Sequence, residues 1–183
     1  MKEQIHADVE RIMLTDQEIQ ARIKETAERL DVIYKDRNPV VVCILKGSVV
    51  FFADLIRNMT SRMELDFMSI SSYGAGTTSS GELRIIQDLR TDIQGRDVLI
   101  VEDIIDSGNT LYVLKKMLNE RNPASLNIVT LLDKPERRVA PIEPEYTCFV
   151  IEDEFVIGYG LDYAERYRNL PYVGILKRTV YEK

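Results

Sequence analysis

The chain has 183 residues, 45% of them apolar and 30% charged, enough to enclose one sizeable core and ordinary for a single globular domain. Its 24 basic and 30 acidic residues give a formal charge of −6, which argues against a general nucleic-acid surface and against an anionic membrane as partner. One histidine, His6, and two isolated cysteines, Cys43 and Cys148, exclude the usual zinc sites, and both cysteines sit in apolar runs that read as core. The N-terminus lacks an apolar signal region and no run is long enough to cross a bilayer, so a cytoplasmic protein is expected.

Thr15-Asp16-Gln17-Glu18 is a capping-box pattern, and Ile19, Ile23, Ala27 and Leu30 mark one face of the helix it opens. After Pro39, six apolar residues, Val40 to Leu45, predict a central strand. Lys46-Gly47-Ser48 interrupts the run before a second helix, about Val49 to Met59. Taken alone, Lys46-Gly47 reads as a turn with a solvated lysine. Leu65 to Ile70 predicts the next strand. Ser71-Ser72-Tyr73 then enters eight small residues, Gly74 to Gly81, that cannot bury enough apolar surface to order themselves. Alternation through Leu83, Ile85, Gln87 and Leu89 brings the chain back as a strand. The small-residue stretch is therefore expected at the tip of a long hairpin, as a flexible loop or lid.

Val98-Leu99-Ile100-Val101 reads as a strand buried on both faces, closed by the acidic pair Glu102-Asp103. Asp106-Ser107-Gly108-Asn109-Thr110 follows, with Asp106 as a candidate N-cap. Leu111, Leu114, Met117 and Leu118 give the next helix its apolar face. A strand, a small-residue loop and a helix N-terminus make an anion site, because free backbone N–H groups and the positive end of the helix dipole converge there. Carboxylates beside such a cradle repel phosphate unless they bind sugar hydroxyls or a metal ion. Asn122-Pro123 stops the helix, and Ser125 to Leu132 is another apolar strand, ending at Asp133-Lys134-Pro135. Pro135 to Pro144, with Arg137-Arg138, reads as an irregular surface connection. Tyr146 to Ile151 and Tyr172 to Leu176 predict the last strands. Between them lie Glu152-Asp153-Glu154, Phe155 to Asp162, and Tyr163, Arg166, Tyr167 and Arg168.

There is no internal repeat. Alternating strands and helices imply an α/β fold, a mostly parallel doubly wound sheet with helices on both faces. Ligands of such sheets bind beyond the carboxyl ends of the strands. Lys46, Glu102-Asp103, Asp106 to Thr110 and Lys134 all fall at that edge.

Val101-Glu102-Asp103-Ile104-Ile105-Asp106-Ser107-Gly108-Asn109-Thr110-Leu111 resembles the phosphoribosyl-pyrophosphate signature of the type I phosphoribosyltransferases. It is most similar to the version in bacterial hypoxanthine and hypoxanthine-guanine phosphoribosyltransferases. Leu45-Lys46-Gly47-Ser48, Ser72-Tyr73, Lys134, Phe155-Val156, Gly158 to Tyr163 and Arg168 occur in the family's order and approximate spacing. The resemblance runs from about Thr15 to Leu176. It implies one domain over 1–183, with a small hood from the N-terminal segment and about 152–183 and a flexible glycine-rich loop at about 72–82.

The implied reaction joins hypoxanthine, or guanine, to the anomeric carbon of phosphoribosyl pyrophosphate, releasing pyrophosphate and IMP or GMP. By the same resemblance, the backbone of Asp106 to Thr110, with the Ser107 and Thr110 hydroxyls, cradles the ribose 5′-phosphate. Gly108 and Asn109 lie within that cradle. Glu102 and Asp103 hold the ribose hydroxyls, directly or through Mg²⁺, and Asp162 helps to place a metal-bound water. Asp106 is the expected general base for a purine ring proton. Lys134 donates to the exocyclic oxygen, Phe155 stacks on the base and Val156 offers backbone contacts. Lys46-Gly47 and Arg168 bind pyrophosphate, while Ser72-Tyr73 and the lid exclude water. Homodimers or homotetramers are implied. Two other classes compete. An RNA-binding regulator on the same fold would carry a clustered basic surface. A receiver-like signalling module would need neither the lid nor the Phe155-Val156 segment.

Overall fold

The computed structural model describes residues 5–72 and 83–182. Tyr73 and the small-residue stretch expected to form the lid lie outside them, as does the side chain of Ser72. The first helix, α1 (Asp16–Tyr34), starts at the capping box. The Glu18 N–H donates to Thr15 Oγ1 at 3.3 Å and the Thr15 N–H donates to Glu18 Oε2 at 2.8 Å, satisfying two amides the helix cannot use itself. Ile19, Ile23, Ala27 and Leu30 are fully buried, as their spacing predicts.

Six strands form the main sheet, in the order β4-β3-β2-β5-β6-β7. They are β2 (Val40–Leu45), β3 (Glu64–Ser72), β4 (Leu83–Gln87), β5 (Asp97–Ile105), β6 (Ser125–Asp133) and β7 (Tyr146–Val150). Only the β3–β4 pair is antiparallel, so β4 is the return arm of the expected hairpin. Alternate residues of the central strands enter two cores. Val41, Cys43, Leu99 and Val101 pack with α1 and with α2 (Val49–Asn58). Val40, Val42, Val98 and Ile100 pack with α3 (Asn109–Asn119) on the other face. Cys43 and Cys148 are buried free thiols, and burial pushes both up to about 11. They are core residues.

The chain leaves β2 toward one edge of the sheet and leaves β5 toward the other. The crevice beyond the ends of these neighbouring strands is the topological switch point where doubly wound sheets bind ligands.

A second, antiparallel sheet joins β1 (Val9–Leu14), β9 (Val173–Leu176) and β8 (Val156–Ile157), in the order β1-β9-β8. Its pleat has two apolar faces. Val156, Val173 and Ile175 extend the α1/α2 core, while Val9, Ile157 and Leu176 pack around Tyr172. The Tyr159 hydroxyl, Gln20 and Asp54 tie this layer to α1 and α2, with Gln20 Nε2 2.9 Å from Asp54 and 3.1 Å from Tyr159.

Several boundaries differ from expectation. β5 does not stop at the acidic pair but runs through it to Ile105, because Glu102 and Ile104 keep pairing with β6. α3 begins at Asn109, with Gly108 as its N-cap, so Asp106 is not the cap. β1 and the short helix α4 (Arg178–Tyr181) were not anticipated. The 135–144 connection is irregular and mostly exposed, as expected, but it opens with a 3-10 turn, Pro135–Arg137, and buries Ala140 and Ile142 in the α3-side core.

Candidate functional site

The loop between β5 and α3 turns on Gly108, whose φ is +78°, a region that favours glycine. A Cβ there would come within 2.8 Å of Arg138 Cδ and Ile142 Cγ2. Gly108 gives α3 no side-chain cap and the Asn109 N–H reaches only Ser107 Oγ, at 3.5 Å, so the first turn keeps amides for an anion. Thr110 lies within that first turn.

On the other side of the switch point, the Leu45–Lys46 peptide is cis. Gly47 then lies so close to β5 that a Cβ would overlap the Asp103 carboxylate. Burial, and secondarily the neighbouring charge of Asp103, holds Glu102 well above the usual carboxylate range. Burial raises Asp103 to about 6, offset in part by the Ile104 N–H that donates to its Oδ1 at 2.8 Å and by the charge of Arg168. As neighbours on one strand, the two residues belong to opposite sides of it. Among the described residues, no three carboxylate, histidine or cysteine side chains converge on a point. Glu102, Asp103 and Asp162 are therefore not a preformed three-ligand cage. They suit a cation that takes one or two carboxylates and completes its shell with substrate oxygens and water, the usual habit of Mg²⁺.

A cleft of about 550 Å³ opens beside Asp103. Asp103, Asp106, Lys134, Phe155, Val156 and Asp162, expected from separate segments of the chain, all line it. Lys134 is almost fully buried, its Nζ donating to the Glu154 carbonyl at 2.6 Å and standing 3.7 Å from Asp153. Phe155 remains 38% exposed, with Tyr163 against it edge-on and Tyr181 of α4 stacked on it at 4.8 Å. A larger hollow, about 870 Å³, lies near Asp31 and Arg62, where Asp31 is committed to the Thr60 and Ser61 N–H groups.

Lys46 and Arg168, 122 positions apart in the chain, meet at one carboxylate. Lys46 Nζ is 3.1 Å and Arg168 Nη2 is 3.4 Å from Glu165 Oε2. Arg168 also pairs with Asp162 at 2.9 Å and donates to the Gly160 carbonyl at 2.9 Å. Gly160, at φ +99°, is pressed so closely on the turn at Gly47 that a Cβ would overlap the Gly47 carbonyl. The second sheet is thereby docked on the Lys46-Gly47 turn.

Five residues at the site escaped the sequence reading: Arg137, Arg138, Asp153, Glu165 and Tyr181. Arg137 Nε is 2.7 Å from Asp106 Oδ1, and its Nη1 is 3.3 Å from Asp153 Oδ2. Arg138, largely buried, donates from Nε to the Asp106 carbonyl at 3.2 Å and from Nη1 to the Ile142 carbonyl at 2.6 Å, and pairs with Asp133. Two adjacent arginines behind a strand-end lysine were the available signal.

A doubly wound sheet with an anion loop and an acidic pair at its switch point defines a class, and residues 11–164 match the phosphoribosyl transferase domain. The chain belongs to the phosphoribosyl transferase family. It is 51% identical over 175 residues to a hypoxanthine-guanine phosphoribosyltransferase of Bacillus subtilis, covering 96% of this chain and 97% of that one. The crystal structure of a hypoxanthine phosphoribosyltransferase from Staphylococcus aureus superposes with a TM-score of 0.95 at 49% identity, covering 97% of each chain. Over 181 residues it is 51% identical to a bifunctional protein TilS/HprT of Listeria innocua, and there 99% of this chain spans 28% of its relative.

Proposed function

We propose that this chain is a purine phosphoribosyltransferase of salvage, transferring the 5-phosphoribosyl group from phosphoribosyl pyrophosphate to hypoxanthine, and to guanine, with release of pyrophosphate. The observation that carries this reading is the meeting of Asp106, Lys134 and Phe155 around one cleft, beside Asp103 and the α3 anion loop. The relatives' names agree with it.

In the reaction, the bond from the anomeric carbon to pyrophosphate breaks, the bond from that carbon to the purine nitrogen forms, and a ring proton leaves the purine. Asp106 has a carboxylate at the cleft to accept that proton. Lys134, donating to one carbonyl, keeps ammonium protons for the exocyclic 6-oxygen, where negative charge grows. Phe155 offers its ring to the base, and Val156 its backbone. Glu102 and Asp103 accept from the ribose hydroxyls, and Ser107 to Thr110 hold the 5′-phosphate with main-chain N–H groups. Lys46, Gly47 and Arg168 take the leaving pyrophosphate, where the Glu165 carboxylate now lies between the two cations. Glu102, Asp103 or Asp162 would hold Mg²⁺, which would supply positive charge to the leaving group. Ser72 and Tyr73 are assigned to the lid that excludes water. The chain is proposed to act as one unit, with the β1-β9-β8 sheet as hood, as a homodimer or homotetramer in the cytoplasm. Among the described residues no helix is long and apolar enough to cross a membrane.

The test is to mix the purified protein with Mg²⁺, phosphoribosyl pyrophosphate and, separately, hypoxanthine, guanine, xanthine, adenine and uracil. Nucleotide from the 6-oxopurines is the expected result. No nucleotide from any base overturns the proposal, and tight, salt-dependent RNA binding in its place would favour the regulator.

A further inference from the structure

Asp106 is gripped at both ends by consecutive arginines. Arg138 holds its main chain: it donates to the Asp106 carbonyl, and its aliphatic stem backs onto Gly108. The segment after it completes the hold, because the Val139 and Ala140 N–H groups both donate to the Ser107 carbonyl, at 2.9 and 3.0 Å. Arg137 holds the other end. Its Nε stands 2.7 Å from Oδ1 of the Asp106 carboxylate, an ion pair without hydrogen-bond geometry at an otherwise unpartnered buried oxygen, and Oδ2 remains for a substrate proton. The far side of the same guanidinium reaches Asp153, which in turn faces the Lys134 ammonium. A chain of charges thus runs Asp106, Arg137, Asp153, Lys134, linking the two groups assigned to opposite atoms of the purine.

We infer that Arg137 is a positioning residue, which fixes the direction of the Asp106 carboxylate relative to Lys134 and so aims proton transfer. The inference rests on the role proposed for Asp106. An aspartate side chain turns about two bonds, and a guanidinium anchored by hydrogen bonds to Asp153 places a fixed positive charge 2.7 Å from one Asp106 oxygen, which favours one orientation of that carboxylate. The duller rival is a solvated ion pair. Arg137 and Asp106 are each about half exposed, at 51% and 45%, and such pairs add little stability. Stability cannot separate the two ideas, but kinetics can.

A double-mutant cycle in the full chain does so. Arg137→Gln should lower kcat by about one to two orders of magnitude, the effect of a misplaced catalytic group, with KM for phosphoribosyl pyrophosphate within about twofold of wild type. Arg137→Lys, which keeps the charge without the planar fork, should recover part of the loss. In an Asp106→Asn background, adding Arg137→Gln should change kcat by less than about twofold, because an arginine that acts through Asp106 has nothing left to aim. Unchanged or faster turnover in Arg137→Gln, with an active wild type, overturns this inference alone. Losses that multiply in the double variant overturn it as well, since they mean that Arg137 acts on its own. A wild type inactive on every 6-oxopurine overturns the functional proposal and this inference together.

Discussion

At Lys134 a buried ammonium has one close carbonyl partner and a more distant carboxylate, so it can donate to a ligand without first being freed from a tight pair. Lys134→Ala should therefore raise KM for 6-oxopurines at least about tenfold, the loss of one hydrogen bond from a charged donor, with KM for phosphoribosyl pyrophosphate little changed. Equal damage to both would reassign the residue. For Asp106→Asn, an amide that cannot take a proton should lower kcat by about two to four orders of magnitude. Steady-state kinetics on hypoxanthine measures both. Glu165 calls for the opposite sign. It occupies the two cations expected to hold pyrophosphate, yet it is 65% exposed and so contributes little to stability. Glu165→Gln should lower KM for phosphoribosyl pyrophosphate by about two- to fivefold, the worth of an exposed ion pair, with thermal stability unchanged. A raised KM would make Glu165 a ligand rather than a competitor. Asp106 and Lys134 were legible as candidates from their places at the ends of strands, and Arg168 only through the family resemblance. Glu165 was not: it is one of many surface acids in the sequence, and only the left-handed turn at Ala164-Glu165 brings it back to Lys46.

Elements were legible where their signals are local. The capping box of α1, the apolar runs of β2 and β5 and the Asn122-Pro123 stop each reside in a few consecutive residues. β1 has no such signal, because Val9–Leu14 owes its strand conformation to β9, more than 150 residues away, and its pattern of burial is irregular. The burial of Ala140 and Ile142 in the 135–142 segment was missed for a related reason. Its prolines and charges describe a loop, and its burial comes from packing behind the β5–α3 junction. Asp66, also unremarked in the sequence, shows the same tertiary origin. It is buried in β3 and accepts N–H groups from Phe67, Arg90 and Thr91, all at 2.8 Å, which pins the turn after β4 to the sheet. Burial alone would raise this carboxyl, but those three donors outweigh it and hold it below its ordinary value. A depressed carboxyl stabilises the fold above its unfolded value, near pH 4, and loses that contribution as pH falls through the folded value. Asp66→Ala should cost about 2–4 kcal/mol in urea unfolding at pH 7, and the gap from wild type should narrow below about pH 4. A constant gap at all pH values would mean that the aspartate's packing, not its charge, is what matters.

The whole molecule brings two layers together over one crevice. The parallel sheet supplies the anion loop and the acidic pair, and the small antiparallel sheet supplies Phe155, Asp162 and Arg168 through a loop that can approach the Gly47 carbonyl only because Gly160 lacks a side chain. That docking was legible only as a resemblance, since no short-range pattern relates residues near 47 to residues near 160. It also leaves a charge problem at the centre. Glu102 is held well above the ordinary carboxylate range and Asp103 up to about 6, so near pH 5 the folded chain binds more protons than the unfolded one. Stability carried by a raised carboxyl is present at low pH and lost as pH rises, for Asp103 from about 4 through about 6, and Glu102 contributes with the same sign. A ligand that brings hydroxyl donors and a divalent cation to the pair removes that penalty. Calorimetry at pH 5, 6 and 7.5 should show the ligand-free Tm falling across this range. With Mg²⁺ and phosphoribosyl pyrophosphate at one fixed concentration, about 100 times Kd at pH 7.5, stability should rise by about 2.7 kcal/mol at pH 7.5 and by less at pH 5, so that the fall with pH becomes shallower. Asp103→Asn should make the ligand-free profile shallower without any ligand, since the amide has no proton to lose, leaving the part that Glu102 contributes. If the two profiles fall in parallel, with and without ligand, the acidic pair is not where the sugar and the cation bind.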